Sequence, residues 1–489
     1  MKKIKKIVCL LLCLTMIFAV AGCNSNKKNQ KDSDVTTITW YVPGVLDCAD
    51  KDEVMDKVNE LLAKRYKLNV ELIFIDGGNY ASKMQTINAG GEEYDLSFVS
   101  NWTNDYYTGV ANGTLVDLTE LLDKYPDLKN SMNDNVWDAS RVDGKIYAVP
   151  SWQIQAKSTS LAIDTEVLKQ SGYTLDQINT LDDIGKYMQS LHKTMPECNM
   201  VGQVWSSLTY KYNILTLLGD TLPAAIYVTD DGSKPKVMNM YESPEFSEYV
   251  NTRYKWVQEG LMSDMYDAIA IKKGSNKDVR TNPFSIHIYK PGLKGEIELS
   301  TGTDYSVKQF SNAVLASNGV CAAMTGISTT SKHPDKAMEL LDVINKDKEI
   351  MNLLCWGIEG KHYTKVSDTQ IKIADNSGYS RINSYVLGSN YGTYCLESQD
   401  PDLYEQVKTF NDTAIVSPLN GLNLNTSSIT TESANCNNII KEQLESLERG
   451  AVDPKTALPK FIKDLKTAGS DKIIQEIQKQ VDSWWASKK

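Results

Sequence analysis

Between residues 36 and 100 the chain reads strand, helix, strand, helix, strand, and that alternation narrows the fold more than any other feature. Thr36-Thr37-Ile38-Thr39-Trp40-Tyr41-Val42 is β-branched and aromatic, and Pro43-Gly44 stops it. Val54, Val58, Leu61 and Leu62 then recur at helical spacing, and Val70-Glu71-Leu72-Ile73-Phe74-Ile75 is a second strand. Asp76-Gly77-Gly78 turns the chain; Tyr80, Met84 and Ile87 mark a helix closed by Gly90-Gly91; Asp95-Leu96-Ser97-Phe98-Val99-Ser100 is a third strand. Strands joined through helices imply a largely parallel sheet with helices on its faces.

Further along, Lys145-Ile146-Tyr147-Ala148-Val149-Pro150 is a short strand ended by proline, and residues from about 160 to 307 read as helical and looped. Ala322-Ala323-Met324-Thr325-Gly326-Ile327 is another short strand, followed by a helix through Ala337, Leu340, Leu341 and Ile344. The C-terminus is helical. Cys436, Ile440, Leu444 and Leu447 form one stripe, residues 458–465 a second helix, and Ile473, Ile477, Val481, Trp484 and Trp485 the face of a third. Such stripes are read as core, because an amphipathic helix must bury its apolar face.

A chain of 489 residues exceeds what one core organises, so two or more lobes are expected. Its first residues are of another kind. Lys2, Lys3, Lys5 and Lys6 precede an apolar run over residues 7–21, and Val20-Ala21-Gly22-Cys23 follows. This is the layout of a secretory leader, with the small-residue pattern of a bacterial lipobox. The expectation is cleavage before Cys23 and lipidation of Cys23, whose two or three acyl chains give stable anchoring. The plainer alternative is ordinary secretion with a cut nearby. Residues 24–34 are polar and should form a tether. The leader holds four of the 52 basic residues, which leaves 48 against 62 acidic, a net charge of −14. That balance argues against nucleic acid as a partner and keeps the body off an anionic membrane, so membrane contact runs through the lipid alone.

Beyond the leader and anchor stand Cys48, Cys198, Cys321, Cys355, Cys395 and Cys436, with no pair at CxxC spacing. Export permits disulfides, but the reading preferred here is six small apolar residues in the core. Four histidines occur, none in HExxH spacing; no Ser sits in a GxSxG elbow, and no Walker A loop is present. The acidic run Asp47, Asp50, Asp52, Glu53 lacks the central Gly of a calcium loop and reads as a solvated helix start. The expectation is therefore a protein that is not an enzyme and carries no cofactor or metal.

Several segments in order carry a resemblance. Ile38-Thr39-Trp40-Tyr41-Val42-Pro43-Gly44, Phe74-Ile75-Asp76-Gly77-Gly78-Asn79-Tyr80, Tyr94 through Tyr107, and Asp143-Gly144-Lys145-Ile146-Tyr147-Ala148-Val149-Pro150 resemble the family 1 extracellular solute-binding proteins of ABC importers. Asn352-Leu353-Leu354-Cys355-Trp356-Gly357-Ile358-Glu359-Gly360-Lys361-His362-Tyr363, and the region from Glu448-Arg449-Gly450 through Trp485, resemble one Gram-positive lipoprotein subgroup with a C-terminal helical region. The resemblance implies an α/β, periplasmic-binding-protein-like (type II) fold: two α/β lobes joined by a multi-segment hinge, with a ligand cleft between them. The implied division is residues 36–150 with about 320–365 in the first lobe, and 151–319 with about 366–489 in the second. Crossings fall near Pro150, near Val314 to Val320, and after Tyr363. The implied role is a monomeric, lipid-anchored receptor on the outer face of the cytoplasmic membrane that hands a carbohydrate, expected to be an oligosaccharide, to ABC permease subunits. A peptide ligand is the runner-up, with Asp47 or Asp105 and Lys157 as its charged contacts. A sensor or adhesin uncoupled from transport is the third reading.

Ligand in such a fold lies where loops leave the carboxyl ends of the strands. Three loops qualify: residues 44–47 with Gly44 and Asp47; Asn101, Trp102 and Asn104; and Trp152, Gln153 and Gln155. Sugar recognition asks for an aromatic face and for planar groups that both donate and accept, which Trp102 and Trp152 and the neighbouring Asn and Gln side chains supply. Trp205 and Trp356 are second-rank candidates.

Overall fold

A computed structural model describes residues 34–195, 205–262 and 284–488. The leader, Cys23 and the tether before residue 34, together with Cys198, lie outside the described residues.

The first strands form where the alternation places them. Strand β1 (Thr36–Pro43) alternates its burial, sending Ile38, Trp40 and Val42 inward. Helix α1 (Lys51–Tyr66) buries Val54, Val58 and Leu62, and closes on Lys67 in the left-handed region (φ 57°). Strand β2 (Leu68–Ile75), helix α2 (Tyr80–Gly90) and strand β3 (Leu96–Val99) follow. The sheet has five strands in the order β2, β1, β3, Met324–Ile327, Ala148–Pro150. β1 and β3 are parallel, with Trp40 opposite Leu96. The strand Met324–Ile327 returns antiparallel between β3 and Ala148–Pro150, so the sheet is mixed rather than wholly parallel.

The body from Thr37 to Lys489 is one compact unit with two large hydrophobic cores. The first gathers side chains from Ile38 to Ala156 and from Ala313 to Phe410; the second gathers those from Leu161 to Phe310 and from Leu419 to Val481. The fold is thus the two-lobed α/β architecture of solute-binding proteins. The lobe division differs from expectation: Trp152, Ala156, Ala313 and Leu315, expected in the second lobe, pack in the first core, and the last crossing shifts furthest. Ile371, Tyr379, Ile382, Val386, Leu387, Cys395, Leu403, Val407 and Phe410 pack in the first core, so the chain leaves the first lobe near residue 412 and not after 365.

The second core holds the largest departure from the sequence reading. The stretch from 160 to 307 contains a sheet: Ser158–Asp164 lies between Phe284–Tyr289 and Tyr305–Gln309, antiparallel to both. All seven residues of Ser158–Asp164 are buried, so Ser-Thr-Ser-Leu-Ala-Ile-Asp shows no in–out alternation to read. The helices Thr430–Glu448, Pro454–Ala468 and Ser470–Ser487 cover this core with the stripes expected of them, from Cys436 to Val481.

Five cysteines (Cys48, Cys321, Cys355, Cys395, Cys436) are free thiols, four of them buried. Among the described residues no three His, Cys, Asp or Glu side chains gather as a metal set, and no helix is long and apolar enough to cross a membrane.

Candidate functional site

Three chain segments pass between the cores, and they pair with one another. Lys157 and Val314 exchange both backbone hydrogen bonds (2.9 and 2.8 Å). Val314–Leu315 pairs in parallel with Ile415–Val416. The short helix Ser317–Val320 follows, and its Gly319 lies flat on the Gln155 carbonyl: a Cβ there would stand 2.0 Å from that oxygen.

Beside this hinge, the turn after β3 forms a ledge. Its shape is set by side-chain hydrogen bonds to backbone. Ser100 Oγ accepts from Trp102 N (3.3 Å) and Thr103 N (3.0 Å). Asn104 takes a positive φ of 42°, which Asn tolerates better than most residues, and donates Nδ2 to the Phe98 carbonyl at 2.9 Å. Asp105 accepts from Thr108 N at 2.8 Å as the cap of the next helix. The ledge is tied to the returning chain at three points. Asn101 N donates to the Cys321 carbonyl (2.9 Å), Asn101 Nδ2 to the Asn318 carbonyl (2.9 Å), and Trp102 Nε1 to the Ala322 carbonyl (2.7 Å). The Trp102 ring leans on Phe98 with centroids 6.0 Å apart, yet the residue is 59 % exposed. Its orientation is fixed and a large part of its surface is open to water.

Groups of the second lobe and hinge gather at the same place. The Asn318 side chain stands near Tyr210 and draws its hydroxyl down, against the burial that pushes it up to about 12. Lys157 shares the strand face of Thr159, whose Oγ1 donates to the Ser207 carbonyl at 3.2 Å, so that face looks toward the segment holding Tyr210. Burial pushes the Lys157 ammonium down, and Asp220 opposes that shift. Asp220 also acts on Tyr210. Aromatic, amide and charged groups from both lobes therefore converge on the hinge around Asn318. The arrangement suits a ligand that offers hydroxyls and an apolar ring face.

Eight of the ten residues singled out in the sequence divide into four groups. Asn101 and Trp102 stand on the ledge. Gly44 (φ 130°, its N–H donating to the Ile75 carbonyl at 2.8 Å) and the exposed Asp47 follow β1 at the same end of the sheet. Asn104 serves the turn itself. Trp152, Gln153 and Gln155 lie beyond the strand Ala148–Pro150. There the Asn411 side chain binds the Gln153 carbonyl (2.7 Å) and the Gln155 N–H (2.9 Å), and Trp152 and Gln155 face a separate groove.

Trp205 and Trp356 require correction. Trp205 is 1 % exposed, packed against Tyr212, Phe246 and Tyr249 in the second core. Trp356 is 5 % exposed in the first core, with the Arg381 guanidinium 4.5 Å above its ring. Neither offers a face to a ligand. Of the charged groups considered for a peptide, Asp105 caps its helix, Asp47 is exposed after β1, and Lys157 feels the Asp220 carboxylate. Sequence reasoning missed Asn318 and Tyr210 as site residues. No local motif marks them, since they reach the ledge only through the hinge.

The comparisons with known proteins agree with this architecture. A family profile described as bacterial extracellular solute-binding protein matches residues 49–350, and a domain of unknown function (DUF3502) matches residues 418–486. The chain is 27 % identical over 494 residues to a carbohydrate ABC transporter substrate-binding protein of Streptococcus pneumoniae serotype 4, covering 96 % of each. It is 22 % identical over 370 residues to the arabinooligosaccharide-binding protein of Bacillus subtilis, covering 73 % of this chain and 79 % of the relative. Among solved structures, the N-glycan transport solute binding protein of Streptococcus pneumoniae superposes with a TM-score of 0.78 at 24 % identity, over 93 % of this chain and all of that one.

Proposed function

Because the chain belongs to the bacterial extracellular solute-binding protein family, whose members bind substrates and are not enzymes, we propose that it is the oligosaccharide receptor of an ABC importer, held at the outer face of the cytoplasmic membrane by lipid on Cys23. The observation that carries the ligand class is the ledge: an exposed, immobilised indole at Trp102, flanked by Asn101 and by the Asn318–Tyr210 pair from across the hinge. An aromatic face takes the C–H side of a pyranose, and planar amides take paired hydroxyls. The names of the relatives, which speak of carbohydrate, arabino-oligosaccharide and N-glycan, support the same class.

The fold supports delivery. Ligand touches both lobes only when they close, so binding shifts an equilibrium between states a few kcal/mol apart, and the closed form is what a permease engages. A thermal-shift screen of the mature, unlipidated protein against oligosaccharide and peptide panels tests the reading. A ligand at ~100 times its dissociation constant stabilises the fold by about 2.7 kcal/mol, several degrees at this lobe size. A shift confined to one class of sugar is the expected result; a shift with peptides alone overturns the ligand class. Lipidation is tested separately, by mass analysis of the mature N-terminus and by release of a Cys23→Ala variant into the medium.

A further inference from the structure

On another side of the helix Ser317–Val320 from the ledge, beyond the sheet edge, the structure holds a groove of about 440 Å³. That volume is typical of small-molecule pockets, which run from about 300 to 1,000 Å³. No residue of the Asn101–Trp102 turn lines it. Asn318 faces the ledge while the adjacent Gly319 packs on the Gln155 carbonyl, so this short helix stands between the two places.

The groove is built of fixed parts. Trp152, 7 % exposed, lines it; its backbone is pinned on both sides, N–H to the Gly388 carbonyl (2.6 Å) and carbonyl to the Asn390 N–H (2.8 Å). Tyr391 supports its ring, with centroids 5.1 Å apart. Gln155 is 3 % exposed and is held through its Nε2, which donates to the Ser151 carbonyl at 3.1 Å. Its Oε1 receives no hydrogen bond from any described residue, and the groove is the space that Gln155 lines. That oxygen is open to the groove rather than sealed in the interior, so a donor entering the groove finds an acceptor there. The Asn130 and Asn135 side chains at the rim also lack partners among the described residues. Charge in the groove is already balanced: Lys408 is paired with Asp412 at 2.5 Å. An ionic ligand finds no unpaired counter-charge there, whereas a neutral molecule with hydroxyl donors and an apolar face finds an acceptor, amides and an indole.

We infer that this groove is a second binding site, for a neutral mono- or disaccharide, with the edge of Trp152 as its apolar wall and Gln155 Oε1 as its acceptor. It stands independently of what the cleft binds. Saturation-transfer NMR on the full mature chain, with glucose and cellobiose as probes, tests it in the wild type and three variants. Trp102→Ala removes the ledge platform, Ser131→Trp fills the groove, and Gln155→Leu removes the acceptor at similar volume.

The expected result is a saturable signal in the millimolar range that survives Trp102→Ala and falls at least fivefold in Ser131→Trp and in Gln155→Leu, with circular dichroism unchanged. Gln155→Leu is the decisive variant if the larger side chain disturbs the fold. Absence of saturable binding to the wild type overturns the inference. So does a signal that both groove variants retain, or one that Trp102→Ala abolishes, since that places the sugar on the ledge. The outcome is separate from that of the receptor reading, which is judged by high-affinity oligosaccharide binding alone.

Discussion

Val314 and Leu315 are neighbours in one hinge strand, yet Val314 belongs to the second hydrophobic core and Leu315 to the first. Ala313 and Ala316 continue the alternation. A strand turns successive side chains to opposite faces, so a few residues of hinge anchor both lobes at once. Such a strand fixes where the two lobes are joined.

Leu315→Ala should therefore weaken the first lobe at its junction. Removing a buried leucine to its β-carbon costs about 2–5 kcal/mol. Thermal unfolding followed by circular dichroism should show a fall of several degrees, and an unchanged midpoint would mean that the hinge strand carries little of the core.

The motif around Trp356-Gly357 is a structural knot. Gly357 has φ 79° and ψ −148°, and a Cβ on it would meet His362 Nδ1 at 2.4 Å. That nitrogen accepts the Ile358 N–H (2.8 Å), which leaves Nε2 to donate to Asp50 Oδ2 (3.1 Å) at the start of α1. The His362 hydrogen bond and Lys361 hold the Asp50 carboxyl below its usual range. Gly357→Ala combines backbone strain with this clash and should cost about 2 kcal/mol or more, lowering the melting temperature by roughly 4–8 °C. Ligand affinity of the folded fraction should not change.

Glu448, at the end of the helix Thr430–Glu448, gives a pH signature. Burial pushes its carboxyl up to about 7, against the opposing pull of the Trp205 N–H and of Arg253. An unfolded glutamate titrates near 4.5. Between these values the folded state holds the proton and the unfolded state does not, so stability falls as pH rises through that window and levels off above it. Glu448→Gln should flatten this dependence. The variant should be more stable than the wild type at pH 8 and gain nothing at pH 4.5, as read from urea midpoints at the two pH values.

Asn101→Ala should loosen the ledge without unfolding it. The lost bond to the Asn318 carbonyl is exposed and worth about 1 kcal/mol. Affinity for the ligand should fall several-fold in calorimetry, mainly through a faster off-rate, while the melting temperature of the free protein stays within a degree or two.

The first lobe was legible because its signals are local. Trp40 lies in an alternating strand, Gly90-Gly91 closes a helix with Gly91 at φ 63°, and the loop after Val99 leaves the carboxyl end of a strand paired in parallel with β1. The second lobe was not, because Ser158–Asp164 is buried on both faces and shows no periodicity. Trp205 and Asn104 misled for a shared reason. A large aromatic or an Asn near a turn has the same appearance in sequence whether it meets a ligand or completes the fold, and here the second core took one and a left-handed turn the other. Asn318 and Tyr210 could not be found at all, because their partners are more than a hundred positions away.

Calorimetric titration of the wild type and of Trp102→Ala, with whichever oligosaccharide stabilises the protein in the thermal screen, tests the central claim most directly. If the ledge is the platform of the receptor, the variant should keep its melting temperature and lose at least tenfold in affinity, about 1.4 kcal/mol. An unchanged dissociation constant in a folded Trp102→Ala protein would contradict the account and remove the ledge from the site.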